Sequence, residues 1–195
     1  YGIWSEGVGA KATLSGTVNL SGDGAIGVHS RSQGNISVTG NGAVKFQSGK
    51  NQTGYFVYGA GSTLTNTATG TQDVSTLAST LYRVDSGATF NGASASNSGL
   101  TASGENSTLI RVTGSGSSFD SGTLAMTVTG KGASGVNVEG GAKGTITANT
   151  TLSLQGENST AGIVDGKYYN LDGSENAAKV GVSELTSSAT LTTGN

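Results

Sequence analysis

The chain has 195 residues, of which 34 are Gly and none is Pro or Cys; 11% are charged and the formal net charge is −2. Lack of Cys excludes disulfides, thiolate zinc sites and cysteine nucleophiles, and a near-neutral, slightly acidic balance leaves no cationic footprint for nucleic acid. No apolar run approaches the roughly 18 residues that a membrane-spanning helix needs.

An apolar-centred segment opens the chain at Gly2-Ile3-Trp4-Ser5 and returns six times. The returns are Gly27-Val28-His29-Ser30, Tyr55-Phe56-Val57-Tyr58, Leu81-Tyr82-Arg83-Val84, Leu109-Ile110-Arg111-Val112, Gly135-Val136-Asn137-Val138 and Gly162-Ile163-Val164-Asp165. Their second residues are 25, 28, 26, 28, 26 and 27 positions apart. Self-similarity at such a period signals stacked supersecondary units. It also argues against a disordered polar tract, the other reading of a Gly/Ser/Thr/Asn-rich composition. Because the sequence starts inside the first repeat, residues 1–195 are expected to be a single segment cut from a longer protein.

Each period carries three short β-prone runs separated by Gly-, Asn- and Ser-rich turns. In the fourth they are Leu81-Tyr82-Arg83-Val84, Ala88-Thr89-Phe90 and Leu100-Thr101. Apolar and polar residues alternate, which puts one face inward and the other in solvent, and no window shows helical spacing. Matching offsets predict three inward ladders. The first is Ile3, Val28, Phe56, Tyr82, Ile110, Val136 and Ile163. The second is Leu14, Ile36, Leu64, Phe90, Phe119, Ile146 and Leu171. The third is Leu20, Phe46, Val74, Leu100, Val128, Leu154 and Val182. Three ladders per turn describe an all-β, right-handed, three-sided parallel β-helix (a β-solenoid) of about seven coils, its hand following the general preference of parallel crossovers. At about 4.8 Å per coil the rod would be roughly 30–35 Å long. Asn41-Gly42 and Asn91-Gly92 suit corners with positive φ, and absence of Pro suits a stack with few free edges. A flatter repeat stack or a β-sandwich is the structural alternative.

Along the chain, several residues invite a functional reading. Trp4 and His29 fall on an outward column that continues through Val57, Arg83, Arg111, Asn137 and Val164. His29, the only histidine, is expected as a solvated surface residue, weakly placed for a triad or a metal site. Gly22-Asp23-Gly24-Ala25-Ile26-Gly27 matches a dinucleotide fingerprint in letters, but no helical pattern follows it, so it reads as a corner of the coil. Arg83 and Arg111 share an offset in adjacent coils and form either a cationic spot for acidic or sulfated glycans or two solvated guanidiniums, spread apart or paired with Asp85 and Glu139. Alternation places Tyr55, Leu81 and Leu109 outward beside them, as a contact patch or a surface covered by a neighbouring loop. Asp165, Asn170, Asp172 and Glu175 supply oxygen ligands without the spacing of a known calcium loop, and read as an acidic turn. Tyr168 and Tyr169 beside them would stack on a sugar or cap the coil. No catalytic, cofactor-binding or metal-binding residue is assigned.

The coils Ser15-Gly16-Thr17-Val18-Asn19-Leu20-Ser21-Gly22 and Thr150-Thr151-Leu152-Ser153-Leu154-Gln155-Gly156 resemble the passenger region of bacterial type V autotransporters, in particular self-associating and adhesive passengers of the AIDA and antigen 43 kind. The resemblance is one of repeat style over the whole chain, and no catalytic motif anchors it. It implies a bacterial cell-surface location, attachment through a C-terminal outer-membrane barrel lying outside this sequence, and adhesion to host glycan or protein or to another copy of itself. Two readings stand beside it: a passive stalk that displays a distal domain, and a polysaccharide-cleaving β-helix, which the scatter of Asp23, Asp85, Asp120 and Glu139 disfavours.

Overall fold

Runs such as Thr80-Leu-Tyr-Arg-Val-Asp85 combine β-branched and aromatic residues between Gly, Ser and Asn corners, and they form strands of three to six residues. A computed structural model describes residues 1–92 and 99–194. Strands alone make up its regular structure, stacked as a parallel β-solenoid. The first and second sheets have seven strands each, so the chain climbs seven rungs in about six full turns. The third side is split between a two-stranded sheet, Thr17–Ser21 with Ala43–Ser48, and a five-stranded one running from Gln72–Val74 to Thr190–Thr193.

The first sheet is built from Ile3–Glu6, Ile26–Arg31, Thr53–Tyr58, Thr80–Asp85, Thr108–Thr113, Ser134–Glu139 and Thr160–Asp165. Its inward ladder is Ile3, Val28, Tyr55, Tyr82, Ile110, Val136 and Gly162. The expected ladder is therefore one residue out of register at two rungs: Tyr55 replaces Phe56 and Gly162 replaces Ile163. Tyr55, Leu81 and Leu109, expected outward, are fully buried in the core. Leu81 and Leu109 belong to a corner column with Gly27, Gly54 and Gly135, where the strand bends inward before alternation begins. The column needs small residues where its neighbours are large: a Cβ on Gly54 would lie 2.8 Å from the Leu81 carbonyl oxygen and 3.1 Å from Phe46 Cζ.

Aromatic rings continue from one rung to the next inside the rod. Tyr55 stacks on Tyr82 at 4.8 Å, Tyr82 on Phe90 at 4.4 Å, and Phe90 on Phe119 at 5.5 Å between ring centroids. The two phenols find partners within the core. Tyr55 Oη donates to Gln72 Oε1 at 2.7 Å, and Asn66 Nδ2 donates to Tyr82 Oη at 2.9 Å. Burial raises the pKa of both phenols, so they remain neutral donors and acceptors.

The second sheet carries Ala12, Ile36, Leu64, Phe90, Phe119, Gly144 and Leu185 in one register. Leu14 and Ile146 lie two residues further along the same inward face. Besides Ile163, which turns outward, two members of the expected ladders leave the core altogether: Leu171 is 49% exposed and Val182 is 92% exposed. Both belong to residues 166–183, a strap that interrupts the period between the last strands of the first and second sheets.

At the corner preceding the first sheet, one left-handed residue recurs per rung: Gly24, Asn51, Ala78, Asn106, Gly132 and Asn158. Each backbone N–H there, from Gly24 to Gly132, donates to a carbonyl on the next rung. Ala78 is the misfit, with φ of 50° and no side chain suited to it. A left-handed L-residue costs roughly 1–2 kcal/mol, and Asn tolerates this region better than Ala. Ala78→Asn is expected to stabilise the rod by about 0.5–1 kcal/mol, read as a thermal midpoint raised by about 1–3 °C. A lowered midpoint would contradict this account of the corner.

Candidate functional site

Strand register brings one outward column together on the first sheet: Trp4, His29, Phe56, Arg83, Arg111, Asn137 and Ile163. Phe56 and Ile163 stand where Val57 and Val164 were expected, the outward counterpart of the register slip. Arg83 and Arg111 are adjacent in register, as their offsets predict. They do not form an open cationic spot. Arg83 is only 2% exposed. Its Nη2 donates to Asp85 Oδ2 at 3.1 Å and to the Tyr169 carbonyl at 2.6 Å, while Nη1 donates to the Asn170 carbonyl at 3.2 Å. Arg111 makes a two-pronged pair with Glu139, at 2.9 Å from Nε and 3.0 Å from Nη2. Both are paired with the acids named as the alternative, Asp85 and Glu139, but Arg83 is buried where solvated guanidiniums were expected.

The cover over Arg83 is the strap. Tyr168, 4% exposed, is its anchor and donates from Oη to Asp85 Oδ1 at 2.9 Å. The ring fits between glycines: a Cβ on Gly140, itself at φ of 59°, would approach Tyr168 Cβ to 2.8 Å, and one on Gly114 would approach its ring to 3.1 Å. Burial and the neighbouring Asp85 carboxylate push the Tyr168 pKa upward. The Tyr169 ring lies 5.5 Å from the Arg111 guanidinium carbon, and its hydroxyl donates to Asp165 Oδ2 at 3.0 Å. Within the strap, Lys167 pairs with Glu175 at 2.9 Å and Asp172 accepts from the Ser174 backbone and hydroxyl. The acidic turn is thus tied up in its own turn geometry and with Lys167. Among the described residues no group of three acids, His or Cys is arranged to hold a metal ion.

Toward the first rung the column is aromatic. His29 is 5% exposed, contrary to the expected solvated position, because its ring is held between Trp4 at 4.7 Å and Phe56 at 4.8 Å. Both ring nitrogens lack hydrogen-bond partners among the described residues. Arg31 lies over Trp4 at 4.6 Å and pairs with Glu6 at 2.9 Å. Burial, followed by the nearby Arg31 charge, holds the His29 pKa below its ordinary value, the Glu6 charge opposing weakly. The consequence for stability has a definite sign. The unfolded chain binds a proton near pH 6.5 while the folded chain resists it, so the contribution is complete above that pH and lost as pH falls below it. Unfolding free energy is expected to drop between pH 7 and pH 5, and His29→Phe to flatten the drop. Equal slopes in the two proteins would refute it.

Between the strap tip and the left-handed corner column lies a groove of about 690 Å³. Its lining includes the register neighbours Thr53, Thr80 and Thr108, the corner residues Asn51 and Asn106, and Arg83, Arg111 and Leu171. The sequence gives two signs of this feature, the break in period after Asp165 and the recurring Asn at one corner offset. Neither is an apolar signal, so ladder matching passes over both.

No protein-family model, curated protein or solved structure matches the chain. Of the sequence candidates, Arg83, Arg111, Tyr168 and Tyr169 converge on the strap, and Trp4 and His29 on the aromatic end of the same face. Tyr55, Leu81 and Leu109 are core residues and contribute no contact surface.

Proposed function

We propose that the chain is a length of bacterial surface-exposed β-helix that acts in adhesion, to host glycan or protein or to another copy of itself, in the manner of the autotransporter passengers it resembles. One observation carries this reading. The outward side of the second sheet presents a polar row in strict register, Ser37, Thr65, Asn91, Asp120 and Thr145. Such a row offers one hydroxyl, amide or carboxylate per rung, about 4.8 Å apart, and weak contacts repeated on a rigid array gain strength through multivalency. The fold serves a passive stalk equally well, and the neutralised arginines favour that second reading.

Display on non-aggregating bacteria separates the two. The adhesive reading expects cells to settle together or to attach to glycan- or protein-coated surfaces. It also expects Thr65→Glu combined with Asn91→Glu to lose this without unfolding the rod. Cells that stay dispersed and unattached would leave the stalk.

A further inference from the structure

The groove beneath the strap tip is bounded by residues of several rungs and of the strap. It extends over four rungs, from Ile26 through Thr53 and Thr80 to Thr108, so it is about 14 Å long at the usual strand spacing. Its volume, about 690 Å³, falls inside the range of roughly 300–1,000 Å³ typical of small-ligand sites. The side-chain amides of Asn51 and Asn106 and the hydroxyls of Thr53 and Thr80 line it without a hydrogen-bond partner among the described residues. These groups both donate and accept. At the strap tip Leu171, half exposed, adds one apolar contact.

Charge narrows the ligand further. Asp23 and Asp172 line the groove together with Arg83 and Arg111, and both arginines are already matched by Asp85 and Glu139. A sulfated or carboxylated polymer would meet more acid than base. Asp23 and Asp172 each already accept from a backbone N–H, of Lys50 and Ser174, so the polar groups in the lining left free to bind are the neutral Asn amides and Thr hydroxyls. An added β-strand finds no edge, because the backbone under the groove is paired on both sides. What remains is an uncharged ligand rich in hydroxyls.

We infer that this groove binds a short neutral oligosaccharide, laid along the rod axis against the Thr column and held from the side by Asn51 and Asn106. The inference deepens the adhesive reading and rests on it for its biological setting. It replaces the expected acidic or sulfated glycan with a neutral one.

The test titrates the full chain by calorimetry with maltotetraose, cellotetraose and lacto-N-tetraose, against heparin tetrasaccharide and tetralysine. The expected result is a Kd on the order of 1 mM or tighter for at least one neutral probe, with both charged probes weaker. Asn51→Gly combined with Asn106→Gly removes the amide arms where φ is 54° at both positions, a conformation Gly adopts freely. That variant should lose at least tenfold in affinity while its thermal midpoint stays within a few degrees. Thr80→Val, which keeps shape and removes one hydroxyl, should lose severalfold. Failure of every neutral probe, tighter binding of heparin tetrasaccharide or tetralysine, or unchanged affinity in the Asn variant would each overturn the inference. The same Asn variant displayed on cells separates the two proposals. Adhesion retained by the variant in the absence of neutral-probe binding removes the groove and leaves adhesion standing. Solution binding by a chain that neither attaches nor clumps cells removes adhesion and leaves the groove.

Discussion

Asp85→Ala should destabilise the rod by about 3–5 kcal/mol, because it leaves the guanidinium of Arg83 buried without a countercharge. Arg83 and Asp85 side chains are each only 3% exposed, so water cannot replace the lost carboxylate. The same substitution takes away the acceptor of Tyr168 and loosens the strap. The carbonyls of Tyr169 and Asn170 still receive Arg83, which favours the lower end of the range. Replacing both partners, Arg83→Met with Asp85→Leu, should cost much less, since no buried charge remains. Urea unfolding of the two variants, read together with amide exchange in Thr80–Asp85, checks the pair. A single-variant cost below about 1 kcal/mol would mean that the ion pair is solvated when the strap moves.

The second large effect is expected at Phe90, fully buried between Tyr82 and Phe119. Phe90→Ala should cost about 3–5 kcal/mol, the sum of lost burial and the cavity left behind. In a solenoid each rung contacts only its neighbours, so stability is a sum of rung and interface terms. A cavity at the fourth of seven rungs weakens both interfaces it touches. Unfolding should then separate into two transitions, with the rungs on either side of the cavity losing amide protection at different urea concentrations. A single transition shifted by less than 1 kcal/mol would show that Tyr82 and Phe119 close the gap by themselves.

Architecture was legible because it rests on period alone. Seven occurrences of an apolar segment at a near-constant period dictate a stack, and three β-prone runs per period dictate three sides. Register was legible only where alternation had one solution. In Thr53-Gly-Tyr-Phe-Val-Tyr58 every residue from Tyr55 onward suits the core, so parity could not be chosen from hydrophobicity. The small corner residue decides it: Gly2, Gly27, Gly54 and Gly135 align, and the residue after each points inward. Sheet faces were misjudged for Leu81 and Leu109 because strict alternation fails where a strand bends into a corner. Acids at Asp85 and Glu139 mark partners for Arg83 and Arg111 in the sequence, within a reading that leaves the guanidiniums solvated. Their burial was not legible, since it depends on residues 166–183 folding back across more than 80 positions of sequence. Tyr168 reads as a cap or a sugar platform in sequence, and only the shallow bed at Gly114 and Gly140 shows that it is an internal anchor.

That backward fold has a mechanical consequence. A plain solenoid pulled from its end would peel rung by rung, each step breaking the few bonds of one turn. Here the strap leaves the last rung at Asp165 and is fastened at Arg83 and Asp85 on the fourth. Tension applied beyond the strap therefore reaches the middle of the rod in parallel with its terminal rungs, and the last turns cannot unwind freely while Tyr168 stays seated. The strap acts as a tether across three rung interfaces, so the load at which the end begins to peel is set by a buried phenol and an ion pair rather than by one strand's hydrogen bonds.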